Sequence, residues 1–95
     1  MASIHSESTE LLVKAILSLE NEEECRNFLE DLLTTREFLD LSQRLVVATL
    51  LNEKLVYSEI ANRTGASSAT ISRVNRAYSY GAGGYTAVVP RLKDA

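Results

Sequence analysis

The sequence predicts an all-α protein. Hydrophobic residues make up 45% of its 95 positions, yet there is no Trp and there are only two Phe, so most of this content is Leu, Val, Ile and Ala. Apolar side chains recur every three or four positions along most of the chain, which is the spacing of one helix face. Proline occurs once, and three of the four glycines lie at positions 81–84. We expect one domain spanning residues 1–95.

The first predicted helix spans about residues 8–19. Leu12, Ile16 and Leu19 share one side of it, and Leu11 and Val13 widen that apolar side. Ser8 or Thr9 is positioned to cap its first turn. A helix whose apolar side is this broad needs more than one neighbour, and a chain of this length offers few.

The second predicted helix begins after Asn21. Glu24 follows three residues later, which is the spacing of a capping box. Cys25 lies within the apolar stripe of this helix, and it is the only cysteine, so we interpret it as a small core residue. The helix is expected to end at residues 34–35.

The third predicted helix, about residues 35–52, is the longest. Phe38, Leu41, Leu45 and Ala48 recur at steps of three or four. Arg44 lies among them, and its charge requires an ion-pair partner, a cleft or access to water.

Residues 57–76 have the pattern of a helix-turn-helix. Gly65 can adopt the left-handed conformation that ends the first of its two helices. Ser67 or Ser68 offers a hydroxyl that caps the second. Ile71 and Val74 are three residues apart and therefore share the inward face of that second helix.

The opposite side of the second helix is small, hydroxylated or cationic, which is typical of a helix that lies against DNA. Four residues are expected at base edges, namely Ser68, Ala69, Thr70 and Ser72. Four are expected at phosphates or bases, namely Ser58, Arg63, Arg73 and Arg76. Ser67 completes the predicted DNA-binding set. An ordinary helical hairpin, in which the same glycine and apolar spacing serve packing alone, is the alternative.

Charge is distributed unevenly along the chain. The net charge is −3, but residues 1–35 contain eight acids and two bases, whereas residues 36–95 contain eight bases and five acids. This asymmetry predicts an acidic half that faces away from phosphate and a basic half that faces it. The acidic run at 22–24 is equally consistent with a solvated helix face.

The glycines at 81–84 predict a hinge or a tight turn before the C-terminal tail, residues 81–95. Val88, Val89 and Leu92 have helical spacing, whereas Pro90 counts against a regular helix unless it lies in the first turn. The sequence therefore allows either a helix or an irregular segment over residues 85–95.

Several functional classes are disfavoured. The chain has no paired carboxylates for acid–base catalysis, no cluster of metal ligands and no nucleophile–base pair, and its single histidine is His5. We therefore expect neither an enzyme nor a cofactor or metal. No apolar run approaches the roughly 18–20 residues of a membrane span, and no secretory signal is evident. These features predict a cytoplasmic protein, most simply a bacterial one.

Several segments together resemble the Trp repressor superfamily, and within it the Trp-repressor-like YerC/YecD family. The resemblance covers roughly residues 10–85. The segments that carry it are Leu32-Leu33-Thr34, Leu41-Ser-Gln-Arg44, Tyr57-Ser-Glu-Ile60, Gly65-Ala66, Ala69-Thr-Ile-Ser-Arg73, Arg73-Val-Asn-Arg76 and Tyr80-Gly-Ala-Gly-Gly-Tyr85. They keep their order and nearly their spacing.

This resemblance implies an intertwined helical homodimer, with dimerisation helices at about residues 8–52 and the helix-turn-helix at 57–76. It implies a sequence-specific regulator of transcription, expected to be a repressor, on double-stranded DNA with a palindromic operator. A helical interaction or adaptor module that does not bind DNA is the alternative function.

The resemblance also places a small-molecule corepressor on Thr34, Arg44 and Arg73. Two guanidinium groups and a hydroxyl suit an anionic or amino-acid-like headgroup. Val74 replaces the glycine, and Ala77 the serine, of the tryptophan-binding members. We therefore expect a ligand other than tryptophan, and an ion-pair role for Arg44 within the dimer is the alternative.

Overall fold

The computed structural model describes residues 6–92, a range that contains six helices and no strand. The helices are α1 (Glu7–Leu17), α2 (Glu22–Leu32), α3 (Thr35–Asn52), α4 (Tyr57–Thr64), α5 (Ser68–Tyr80) and α6 (Gly84–Leu92). The predicted all-α class is therefore confirmed. The described chain divides after Phe38 into two compact units. His5 and residues 93–95 lie outside the described range.

The N-cap of α1 is Ser6, so the prediction of Ser8 or Thr9 was wrong. The backbone N–H of Thr9 donates to Ser6 Oγ over 3.3 Å, and the Thr9 hydroxyl donates to the Ser6 carbonyl over 2.9 Å. Thr9 is the donor in both bonds, and the cap at Ser6 moves the start of the helix toward the N-terminus. The helix ends at Leu17, two residues before the predicted end.

The predicted cap of α2 is confirmed, whereas its predicted end was wrong. Asn21 Oδ1 accepts from the Glu24 backbone N–H over 2.8 Å. The helix ends at Leu32, because Thr34 caps the helix that follows. Thr34 Oγ1 accepts from the Glu37 N–H over 3.1 Å, and the Glu37 carboxylate accepts from the Thr34 N–H over 2.9 Å. This capping box starts α3 at Thr35, as predicted.

The first unit has no buried residue among residues 6–38. Leu11 and Leu17 are 69% and 79% exposed, and Leu12 and Ile16 on the predicted apolar side are also exposed. Cys25 is half-buried, so it is not the core residue that the sequence predicted. The hydrophobic side chains of this unit do not form a core within the unit itself.

The second unit has a core to which α3, α4, α5 and α6 all contribute. Its fully or nearly buried side chains are Val47, Ala48, Leu50, Ile60, Ala66, Ile71, Val74 and Val89. Two hydrogen bonds return the chain from α3 toward α4, from the Lys54 N–H to the Leu51 carbonyl and from the Leu55 N–H to the Leu50 carbonyl. This is the Schellman pattern, and Lys54 takes its left-handed position with φ of 64°.

Residues 84–92 are helical in spite of Pro90 in the final turn. Proline lacks the N–H that would donate to the Thr86 carbonyl. Side-chain packing holds the helix instead, because Val89 is buried in the core and the ring of Tyr85 stacks on Tyr78 at 5.8 Å between centroids. None of the helices within residues 6–92 is long and apolar enough to cross a membrane.

Candidate nucleic-acid interface

The two helices of the predicted helix-turn-helix are α4 and α5. Ile60 of α4 and Ile71 of α5 are fully buried, and Val74 is 1% exposed, as their spacing predicted. Gly65 has φ of 74°, and its N–H donates to the Ala61 carbonyl over 2.8 Å. The left-handed glycine therefore ends α4 and turns the chain toward α5.

Thr64 lies immediately before this glycine, where the sequence motif usually has an apolar residue. Its hydroxyl donates to the Ile60 carbonyl over 2.8 Å and accepts from the Ala66 N–H over 3.0 Å. The Thr64 carbonyl accepts from the amide of Gln43 on α3 over 3.2 Å. These bonds satisfy the polar groups of the turn and attach it to α3, a role of Gln43 that the sequence did not reveal.

Ser67 is the N-cap of α5. Of the two candidates that the sequence allowed, Ser67 and Ser68, it is therefore Ser67 that caps the helix. Its hydroxyl oxygen accepts from the Thr70 N–H over 3.1 Å and lies 3.1 Å from the Thr70 hydroxyl. Thr70 is half-buried, and Ser68 is exposed. The hydroxyls of Ser67 and Thr70 are thus engaged in positioning the start of α5, whereas Ser68 is presented to solvent.

Ala69, Arg73 and Arg76 form one exposed face of α5, which we call the basic face. Their separations of four and three residues place them on one side of the helix, opposite Ile71 and Val74. Ser68 and Ser72, also exposed, flank this face. Tyr80 continues the same spacing and is 88% exposed. The predicted motif ended at residue 76, whereas α5 continues to residue 80. Tyr80 was therefore missed, although its helical spacing from Arg73 and Arg76 is evident in the sequence.

The three predicted DNA-binding arginines differ in their partners. Within residues 6–92, the guanidinium groups of Arg73 and Arg76 make no hydrogen bond or ion pair, and both side chains are exposed. Arg63 instead donates to Glu59 over 3.0 Å along the exposed side of α4. Ser58, in the first turn of that helix, is exposed as well. Two cations of α5 are therefore available to a ligand, while that of α4 already has a carboxylate.

The predicted ligand-binding residues belong to different units. Thr34 lies in the first unit, where its hydroxyl caps α3. Arg44 and Arg73 lie in the second unit, Arg44 half-buried and without a side-chain partner within residues 6–92. Ala77 lines an apolar recess of about 420 Å³ together with Leu45, Tyr85 and Val88. The absence of a polar partner for Arg44 leaves its charge open to a ligand or to a second chain.

Comparison with known proteins assigns the family. A family model described as Trp repressor protein matches residues 7–93, nearly the whole chain. The protein belongs to the Trp repressor family. The uncharacterized protein YerC of Bacillus subtilis (strain 168) is 47% identical over 83 residues, which cover 87% of this chain and 80% of YerC.

Solved structures agree with this family assignment. A TrpR-like protein from Eubacterium eligens ATCC 27750 superposes with a TM-score of 0.89 at 49% identity, covering 95% of this chain and 93% of that one. A structure from Staphylococcus aureus gives 0.88 at 41% identity and covers 98% and 96% of the two chains. The predicted Trp-repressor-like fold is therefore confirmed, and family membership indicates a DNA-binding regulator in a family without enzymes.

Proposed function

We propose that this member of the Trp repressor family is a cytoplasmic, homodimeric repressor of transcription that binds a palindromic operator. The observation that carries the proposal is the basic face of α5. Arg73 and Arg76 are exposed there and have no partner within residues 6–92, on a helix whose opposite side is anchored by Ile71 and Val74. A rigid helix with free guanidinium groups beside small side chains suits insertion into the major groove.

The remaining predicted contacts complete the proposal. Ser68, Ala69 and Ser72 reach base edges, and Ser58 contacts phosphate at the start of α4. Ser67 and Thr70 contribute by holding the start of α5 in place. The Thr70 side chain is half-buried, so part of it is also exposed to solvent. Two-fold symmetry places the two recognition helices about 34 Å apart, so the half-sites are one helical turn apart.

The test is a gel-shift titration with the DNA upstream of the protein's own gene at several salt concentrations. We expect binding that weakens with salt, because phosphate contacts release counterions. Arg76→Gln should lower the slope of log affinity against log salt by about 0.9 per protomer. The matched control is Arg26→Gln, which removes the same charge from α2. Absence of binding at low salt, or equal effects of the two substitutions, contradicts the proposal.

We further propose that a small anionic or amino-acid-like ligand other than tryptophan binds through Thr34, Arg44 and Arg73. The half-buried guanidinium of Arg44, which has no partner within residues 6–92, supports this idea. Val74, where the tryptophan-binding members have glycine, disfavours tryptophan as the ligand. A thermal-shift screen of amino acids and related carboxylates tests it, because a ligand of the native state raises the melting temperature. Stabilisation by tryptophan, or a response that persists in Arg44→Gln, would contradict it.

A further inference from the structure

Tyr80, in the last turn of α5, is a large aromatic residue that takes no part in the core. It is 88% exposed, more than any other large hydrophobic side chain of residues 6–92. Its ring stacks on no other ring, and its hydroxyl forms no hydrogen bond, within the part of the chain that the structure describes. The phenol is therefore available to a partner outside these residues.

Helix geometry places Tyr80 in the middle of the basic face. At 3.6 residues per turn, it projects about 20° from Ala69, between Arg73 and Arg76, each about 20° to 40° away. The buried Ile71 projects in the opposite direction, about 180° from Tyr80. No acid occurs anywhere in residues 68–80. The direction of the side chain, and not its exposure alone, thus places the tyrosine on the side that carries the proposed DNA contacts.

The position of Tyr80 along the helix axis determines which part of the DNA it meets. Ala69 and Tyr80 are eleven positions apart, which is about 16 Å along the axis at roughly 1.5 Å per residue. The residues that contact base edges lie at the N-terminal end of a recognition helix, and the major groove is about 12 Å wide. The C-terminal end of α5 therefore lies at the level of the sugar–phosphate backbone, beyond the base edges.

We propose that Tyr80 and Arg76 together bind one backbone phosphate of the DNA. They are four residues apart, and side chains at this spacing are neighbours on a helix surface. The guanidinium supplies a charge and the phenol hydroxyl a neutral donor, and both groups occur at phosphates in protein–DNA interfaces. The inference rests on the proposed DNA-binding function and adds to it a residue beyond the predicted motif. Because the phosphate is the same in every sequence, the contact positions α5 without reading bases.

Tyr80→Phe tests the contact because it removes the hydroxyl and keeps the ring. The probes are the duplex upstream of the protein's own gene and a random-sequence duplex of equal length. We expect the affinity for both to fall about tenfold per protomer, since a bond to a charged group is lost. The slope of log affinity against log salt should not change, because an uncharged hydroxyl releases no counterion. Arg76→Gln should instead lower that slope by about 0.9 per protomer.

Tyr85→Phe is the matched control. It removes the same hydroxyl from a ring of α6 that stacks on Tyr78, so we expect both the affinity and the salt slope to stay at their wild-type values. Tyr80→Phe/Arg76→Gln completes a double-mutant cycle. If the two side chains share one phosphate, the combined loss of affinity should be smaller than the product of the two separate fold-changes. Melting curves and sedimentation establish that each variant is folded and dimeric.

Four outcomes overturn the inference. Wild-type affinity of Tyr80→Phe would remove the contact, and a loss confined to the upstream duplex would make Tyr80 a base-reading residue instead. Weaker dimerisation of Tyr80→Phe would assign the side chain to the interface between subunits. Independent effects in the double-mutant cycle would place the two side chains on separate phosphates. Failure of the wild type to bind either duplex at low salt is a different result, because it would overturn the proposed function itself.

Discussion

Gly81 ends α5 at a point where no side chain fits. A Cβ atom built at this position would lie 2.3 Å from the Ala77 carbonyl oxygen, well inside van der Waals contact. That oxygen is the acceptor of the Gly81 N–H at 2.9 Å, so the close approach and the last hydrogen bond of the helix occur together. Glycine is required at this residue for space, because its φ of −85° is open to any amino acid.

Gly81→Ala should therefore destabilise the protein by about 1–3 kcal/mol, since the carbonyl or the turn has to move. Gly84→Ala is the control, because nothing lies within 4 Å of its added methyl and it begins α6. That substitution should be neutral or stabilising by up to about 1 kcal/mol. Chemical denaturation of the two variants measures the difference, and equal stabilities would contradict the steric argument.

At the scale of helices, the start of α3 is determined by the reciprocal bonds of Thr34 and Glu37. Each bond satisfies a backbone N–H that would otherwise lack a partner in the first turn. Thr34 is also one of the predicted ligand-binding residues, so its contribution to stability has to be measured separately from any contribution to binding.

Thr34→Ala should lower the free energy of unfolding by about 1 kcal/mol in the absence of any added ligand, the usual cost of losing an N-cap. Thr35→Ala, one residue later and equally exposed, should change stability by much less. Urea unfolding followed by circular dichroism provides the measurement. If Thr34→Ala is as stable as the wild type, the cap contributes nothing and the residue is better explained by binding.

The sequence predicted helices most accurately where local signals and burial agree. The range of α3 and the cap of α2 were both predicted, and Ile71 and Val74 are buried as their spacing required. Caps with several neighbouring hydroxyl candidates were ambiguous, and α1 is capped by Ser6 and not by the predicted Ser8 or Thr9. The helix α6 forms in spite of Pro90 because Val89 is buried and Tyr85 stacks on Tyr78. These are contacts between segments distant in sequence, so local helix propensity does not predict them.

The sequence predicted which residues of the candidate interface are exposed, but it did not predict which of their side chains bond to one another. The exposed positions Ser68, Ala69, Ser72 and Arg73 follow from helix periodicity alone. The ion pair of Arg63 with Glu59 has the spacing of a helical pair, but the sequence does not show whether the side chains meet each other or a ligand. The bond of Gln43 to Thr64 joins residues 21 positions apart, beyond the reach of any local pattern.

At the scale of the whole molecule, the first unit presents apolar side chains that the rest of residues 6–38 does not cover. Leu12 and Ile16 are one turn apart on α1, and both are more than one-third exposed. Burial of such side chains against a second copy is favourable by about 25 cal/mol per Å² of apolar surface. The proposed homodimer accounts for this exposure.

Leu12→Glu/Ile16→Glu should weaken the dimer strongly, because it places two charges on that apolar side, while Lys14→Glu on the same helix should have little effect. Analytical ultracentrifugation over a range of concentrations measures the dissociation. The melting temperature of the wild type should also rise with protein concentration, as mass action requires for a dimer. A monomeric wild type, or a double variant that dimerises normally, would contradict this prediction.

The Tyr78–Tyr85 stack gives this protein an internal optical signal. The chain has no tryptophan and four tyrosines, so its near-ultraviolet spectrum comes largely from tyrosine. The two stacked rings lie within 10° of parallel, and the Tyr78 hydroxyl donates to Asn52 on α3 over 2.9 Å. The circular dichroism of this pair therefore reports on the joint between α3, α5 and α6. A change in that signal on adding a carboxylate that does not absorb in the near ultraviolet would report a rearrangement of this joint without an attached label.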